Sequence, residues 1–529
     1  MKIRKLLCFL LAFATAASFV GCNKNAANSS LPSQTDASAA TTESTPQKNP
    51  DTNKPAARTV VSQMATADGQ PYVEYLGEPY LMYGVQMRLD WIFKDTGADT
   101  AFIEENFAKV KELGFNSVMI PIYWQTVEPE MDKYDFTQLK LYYTYLNKYD
   151  LTVQWLWFGT NVCGLGYIPE YVSKDRDTYK IVTADNGAQG NYMDFSCAAT
   201  MKREQKALSE MMEWIAQNDQ DKRCVMIQLN NEVDQGAGYF QENFTDETIV
   251  GGWWQSQEAH DKYCWVGGQR TAVFAQLSAL GNIVHKSSYP VVTRVNVSGA
   301  GRDEVPELVQ DYRDMLMMSG IDMVGVDSYA KTWKALKSSL SLVDGNLTHV
   351  AENGGNYDST YNTINLFDMG AGMLIYCHRD DREHYGMYEP DQNKGWKELE
   401  STSKVGAFNA MLNKMEKPLA KAVAYRRFMA FNGAHLTGPV DVTKNFDGID
   451  IRFTCPEDGL GGAFPITNKC FILMASKDNT TFTFGDTVTV SEATLGSFEG
   501  YEWKAQNEAK RDGNTVTLNA YQLIKVDFE

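Results

Sequence analysis

The sequence predicts an α/β fold, an eight-stranded (β/α)8 TIM barrel, followed by a small C-terminal all-β, sandwich-like domain. From about residue 59 to 445, short β-rich runs alternate with helical stretches, the pattern of parallel strands joined by crossover helices. Eight such runs can be counted: Tyr80–Gln86, Ser117–Ile122, Thr152–Trp157, Val225–Leu229, Val291–Val295, Met323–Val326, Thr348–Ala351 and Met373–Tyr376. After residue 446 the alternation stops, and short strands follow one another with only turns between them.

Taken from the start, Lys2, Arg4 and Lys5 precede an apolar run, Leu6 to Val20, that is too short to span a bilayer. The run ends in Phe19-Val20-Gly21-Cys22, which resembles a bacterial lipobox and marks Cys22 for lipidation. An ordinary secretory signal with an incidental Cys is the alternative, and both readings place residues 1–22 in a signal peptide and the protein outside the cytoplasm. Residues 23–58 are mainly Asn, Ala, Ser, Thr, Pro, Gln and Lys. Such a segment buries too little apolar surface to fold and reads as a disordered tether. The barrel is expected over 59–445. Its helices include 101–113, with Ile103, Phe107, Val110 and Leu113 on one face, and 202–217, where Met211, Met212 and Ile215 are core rather than ligand contacts. The all-β domain is expected over 446–529, from strands such as 449–453, 470–474, 481–484 and 515–519. Turn signals at Asp458-Gly459, Lys477-Asp478-Asn479 and Asp512-Gly513-Asn514 separate them.

The chain of 529 residues carries a formal charge of −18, with 43% hydrophobic and 22% charged residues. It can bury a large core, and the acidic balance excludes nucleic acid as a partner. Nine Cys include Cys8 in the signal and Cys22; the seven others form no C-x-x-C pair, with Cys455 and Cys470 the nearest local candidates for a disulfide. The six His have no metal-ligand spacing, so no metal or other cofactor is implied. No later stretch is long and apolar enough for a transmembrane helix, which leaves the lipid anchor as the membrane contact.

Two segments carry chemistry. In Cys224–Gly236 an apolar strand ends abruptly in Gln228, Asn230, Asn231 and Glu232. The C-terminal ends of barrel strands face the active site, so Glu232 would point into it. Asn231 would reach a sugar 2-hydroxyl; the plainer reading is a helix N-cap. In Leu347–Gly355 a second strand ends in Glu352 before a glycine pair. Alone, this is equally a surface Glu at a turn. Together, two strand-end glutamates 120 positions apart fit strands four and seven of one barrel. A pair of carboxyls at such positions suits acid/base and nucleophilic work on a glycosidic bond.

The segments Tyr75–Gln86, Gly114–Pro129 with Tyr134-Asp135-Phe136, Gln228–Glu232 and Val324–Tyr329 resemble the large clan of (β/α)8 retaining glycoside hydrolases. They are most similar to the β-galactosidases of families 35 and 42. The resemblance covers about residues 70 to 380; the segment Phe158–Glu170 follows the family 35 pattern only loosely. It implies Glu232 as acid/base, Asn231 as the 2-hydroxyl contact, Glu352 as nucleophile and Tyr329 as a hydrogen-bond partner of the nucleophile. Gln86 and Arg88 at the end of strand one are candidates for substrate hydroxyls, with a surface ion pair the alternative for Arg88. Trp124 and Trp157 are candidates for stacking on sugars, with core packing the alternative. Trp253, Trp254 and Trp333 line a cleft or anchor loops, and Glu128 shapes the second loop. The resemblance therefore implies an oligo- or polysaccharide substrate cleaved with retention. The alternatives are an endo-acting mannanase or glucanase of the same clan, and a non-catalytic glycan-binding lipoprotein.

Overall fold

The computed structural model describes residues 60–89, 100–160, 164–183, 189–233, 249–250, 253–254, 269–298, 312–327, 346–347, 349–354, 358–370, 374–377, 387–390, 396–398, 402–431 and 438–529. The signal, Cys22 and the tether lie outside these residues. So do Tyr329 and Trp333.

Eight strands form a closed parallel ring: β1 Tyr83–Gln86, β2 Ser117–Tyr123, β3 Thr152–Phe158, β4 Cys224–Leu229, β5 Val292–Ser298, β6 Met323–Asp327, β7 Val350–Asn353 and β8 Leu374–Cys377. Each pairs with its sequence neighbour, and β8 returns to β1, from Leu374 opposite Tyr83 to Cys377 opposite Gln86. Each of the eight runs anticipated from sequence supplies one strand. The helices outside include α1 Thr100–Glu112, α2 Thr137–Lys148, α3 Ala198–Asn218, α4 Arg270–Lys286 and α5 Asp358–Asp368. In α3 the buried residues Met201, Glu204, Leu208, Met211, Met212 and Ile215 form one stripe, so both methionines are core.

Strands buried on both faces should read as near-continuous apolar runs, and β2 and β3 do. Alternation then sorts their side chains. Ile120, Ile122, Trp155 and Trp157 join the core shared with the helices, whereas Met119, Tyr123, Leu156 and Phe158 join a separate cluster with Met226 and Met323 inside the barrel. An antiparallel hairpin, Ser62–Ala67 with Gln70–Tyr75, covers the N-terminal end. There Ser62 Oγ donates to the Val225 carbonyl (2.6 Å) and accepts the Val292 N–H (2.9 Å).

The C-terminal part is two antiparallel sheets packed face to face. One has six strands, in the order 429–431, 461–467, 470–475, 523–528, 490–499, 502–508; the other has five, 440–446, 449–455, 480–484, 515–518, 510–512. Two of these strands, Met429–Phe431 and Val440–Phe446, lie upstream of the boundary expected at residue 446. Phe431, Phe453 and Phe482 pack as mutual neighbours between the sheets, with ring centroids 5.1–5.5 Å apart. In the strand Cys470–Ala475, Phe471 and Leu473 enter this interior. Ile472 and Met474 point the other way, onto α6 (Thr402–Asn413) and α7 (Glu416–Ala424). The six-stranded sheet is thus buried on both faces, which fastens it to the barrel's helical layer. Cys455 and Cys470 belong to different sheets and are free buried thiols, contrary to the disulfide suggested by their spacing.

Glu128, read as a loop-shaping residue, is fully buried. Its carboxylate pairs with Arg203 of α3, accepts Trp124 Nε1–H (3.1 Å) and accepts the Asp132 N–H (3.0 Å). Without Glu128 the mostly buried Arg203 keeps only the exposed Asp132 as counter-charge, and two N–H groups lose their acceptor, so Glu128→Ala should lower stability by about 3–5 kcal/mol in urea unfolding. Glu130→Ala, which breaks only the exposed pair with Lys133, should leave the midpoint nearly in place. Equal shifts in the two variants would contradict this.

Candidate active site

The C-terminal end of the barrel gathers acidic and amide side chains from five strands. Gln86 ends β1, and its Nε2–H donates to Glu352 Oε1 of β7 at 2.8 Å. Directly after β4 the chain turns through Asn230 (φ +58°) and Glu232 (φ +44°), left-handed conformations that cost a non-glycine residue about 1–3 kcal/mol. Contacts with two neighbouring strands hold the turn. Asn230 Oδ1 accepts the Gly159 N–H after β3 (3.2 Å), and Asn296 Oδ1 of β5 accepts the Glu232 N–H (3.2 Å). Asn231 Nδ2–H donates in turn to Glu232 Oε2 at 3.2 Å.

Asn296 is the hub of this arrangement. Fully buried, it also donates Nδ2–H to Asn231 Oδ1 (3.1 Å) and to Asp327 Oδ2 at the end of β6 (2.7 Å). Asp327 stands opposite Glu352 in the β6–β7 ladder, where the register is irregular and re-aims the side chains. Burial, then the negative charges of Glu352 and Glu232, push the Asp327 carboxyl well above the usual carboxylate range, against Asn296 and Arg294. Both glutamates expected from sequence therefore lie within electrostatic reach of one buried acid.

Arg294 of β5 supplies the balancing charge from below. It has no solvent exposure, and its Nη groups donate to Gln154 of β3 (2.9 Å), Gln228 of β4 and His349 Nε2 (2.6 Å). A guanidinium has no lone pair to offer, so His349 Nε2 is the acceptor in that bond. Gly325 makes this possible, since a Cβ there would lie 2.6 Å from the His349 ring. Burial lowers the Arg294 pKa to about 10, opposed by Asp327 and Glu352, and leaves the side chain charged at neutral pH. Among the described residues no group of His, Cys, Asp and Glu has the arrangement to hold a metal ion.

Of the residues anticipated from sequence, Glu232, Asn231, Glu352 and Gln86 come together here. The guanidinium of Arg88 lies 5.7 Å from the ring centre of Phe158. Trp124 and Trp157 do not line the mouth. Both are fully buried in the core between strands and helices, and Trp157 Nε1–H donates to Glu204 of α3 at 3.1 Å. The aromatics on the interior face are their chain neighbours, Tyr123 and Phe158. With the half-buried Tyr167 these form a three-ring cluster, centroids 4.8–5.3 Å apart. Strand alternation explains the one-residue error. Asp327, Asn296, Arg294 and His349 were not singled out, although Arg294-Val295-Asn296 is a period-two polar insertion in an apolar strand. That signal marks a polar barrel interior.

Comparison with known proteins adds little to this geometry. A family model described as a domain of unknown function (DUF4978) matches residues 272–394, a stretch that contains β5 to β8 and Glu352. No curated protein matches the chain. Similar solved structures include a β-galactosidase from Bacillus circulans sp. alkalophilus, at 11% identity over 65% of this chain and 57% of that one, with a TM-score of 0.46. An exo-β-1,4-mannosidase from Opitutaceae bacterium strain TAV5 is 13% identical over 67% and 63%, also with a TM-score of 0.46. A family 39 glycoside hydrolase from Bacteroides cellulosilyticus WH2 is 10% identical over 87% and 85%, with a TM-score of 0.44. The chain thus spans less than two thirds of the first two. None of these likenesses bears on which reaction the site performs.

The placement of Trp157 yields a prediction. Trp157→Phe removes the N–H that Glu204 accepts and should cost about 1–3 kcal/mol in denaturant unfolding. A midpoint equal to the parent's would contradict this placement.

Proposed function

We propose that this protein is a retaining glycoside hydrolase, β-galactosidase-like, in which Glu232 is the acid/base and Glu352 the nucleophile. The observation that carries the reading is the convergence of both glutamates, from the ends of β4 and β7, around the buried Asp327. Double displacement needs two carboxyls about 5–5.5 Å apart, one that delivers a proton and one that attacks the anomeric carbon. The Gln86 N–H would hold the attacking carboxylate in place, and Asn231, beside Glu232, would meet the sugar 2-hydroxyl.

In the first step Glu232 gives its proton to the leaving oxygen as Glu352 bonds to the anomeric carbon. In the second, Glu232 takes a proton from water, which displaces Glu352 and restores it. Tyr123, Phe158 and Tyr167 offer apolar faces for sugar C–H groups, and Arg88 a donor beside them. A protein that only bound glycans would gain nothing from assembling three carboxyls, because neutral amides satisfy hydroxyls without the cost of gathering like charges. The galactose preference rests on the sequence resemblance. In the same reading Cys22 carries a lipid that holds the exported enzyme at the bacterial cell envelope.

Hydrolysis of aryl β-galactoside, glucoside, mannoside, xyloside and fucoside by the protein lacking residues 1–58 tests the reading. We expect cleavage of at least one member, a loss of about 1,000-fold or more in Glu352→Ala, and partial rescue of that variant by azide with the inverted glycosyl azide as product. Glu232→Ala should lose less on substrates with a good leaving group, since these need little protonation. Binding of polysaccharides without cleavage of any glycoside would leave a glycan-binding protein instead.

A further inference from the structure

Asp327 has no role in the two-glutamate reaction, yet it is the most deeply placed acid of the site. Its Oδ2 accepts Asn296 Nδ2–H at 2.7 Å, and the same amide grips both residues that do the work, accepting the Glu232 N–H and donating to Asn231 Oδ1. The turn so gripped holds two non-glycine residues in left-handed backbone and needs external contacts to persist. Asp327 Oδ1 is buried and meets no hydrogen-bond partner among the described residues.

We propose that Asp327 is a positioning residue which, through Asn296, clamps the turn that presents Asn231 and Glu232 to the substrate. The proposal rests on the glycoside hydrolase reading and adds to it the group that orients the acid/base. The geometry also says in which form Asp327 works. Among the described residues, the charged or titratable groups around it are Glu352 on β7, Glu232 after β4, and Arg294 on β5 with His349 beside it. Burial and the negative charge of Glu352 outweigh one cation that is already shared with Gln154, Gln228 and His349, and Glu232 adds to the same side whenever it is ionised. Asp327 is therefore the neutral acid. With Oδ2 occupied as an acceptor, the proton sits on Oδ1, and Glu352 has a neutral neighbour rather than a second anion. An Asn at this position reproduces that form, keeping the acceptor for Asn296 and a donor in place of the O–H. An Ala reproduces neither.

The test is steady-state kinetics of the parent, Asp327→Ala, Asp327→Asn and Asn296→Ala on the glycoside that the parent cleaves, with thermal melting of the same proteins from about pH 4 to 8. Asp327→Ala and Asn296→Ala should lose about 100-fold in kcat with KM changed less than about threefold, and Asp327→Asn should recover to within about tenfold of the parent. A folded-state acid that holds its proton to higher pH than the unfolded chain makes the parent lose stability as pH rises from about 4. Asp327→Asn lacks that loss, so its melting temperature minus the parent's should widen with pH. The proposal is overturned if Asp327→Asn is as inactive as Glu352→Ala, which would make Asp327 a reacting carboxylate. It is also overturned if Asp327→Ala loses only stability, or if the melting difference is flat across pH. A parent inactive on every glycoside, with the widening intact, would sink the glycosidase reading and leave the clamp standing.

Discussion

A buried guanidinium organises the interior of this barrel. Arg294 has no water to solvate it, and an unpaired charge there would be prohibitively costly. Its acceptors come from β2, β3, β4 and the residue preceding β7, so one side chain ties together strands far apart in sequence. A barrel interior is ordinarily filled by layers of branched apolar residues. Here a middle layer of Arg294, Gln154, Gln228 and His349 replaces one such layer, and Gly325 clears the space it needs. The positive charge under the mouth makes a cluster of three acids above it tolerable.

That layer also sets the character of the mouth. The acids do not share one environment: Glu352 is partly exposed and takes an N–H from Gln86, whereas Asp327 is buried and takes one from Asn296. Burial and the crowding of like charges together hold the proton on Asp327. Rigidity comes from outside the ring. The strands are packed on both faces, and the six-stranded sheet of the C-terminal sandwich presses on α6 and α7 through Ile472, Met474 and Phe464. The sandwich therefore braces the barrel's helical layer, whatever else its far face does.

Most of the fold was legible because it follows from local pattern. The eight apolar runs and the α3 stripe are periodic features within short windows, and their positions differ from the strands and helix by a few residues. Glu232 and Glu352 were legible for a related reason, as polar interruptions at the ends of apolar strands. Trp124 and Trp157 show where such reading fails. In a strand apolar on both faces, composition does not say which face is inward, so Trp157 and Phe158 are equal candidates in sequence, and Phe158 is the one facing inward. Asp327 and His349 carry no local signal, since each is ordinary in its own segment, and only ring closure brings them to one place with Asn296.

The sequence by itself determined the alternation of strand and helix, the change to an all-β texture near the C-terminus, and the two strand-end glutamates, since hydrophobic period and turn chemistry are local. Only the tertiary structure decided which side of each strand faces the interior, that Arg294 would lie beneath the acids, and that Asn296 would join Asp327 to the turn bearing Glu232. Those contacts link residues between 31 and 65 positions apart in the chain. Their energies depend on burial and on the nearness of like charges, and neither exists until the ring has closed.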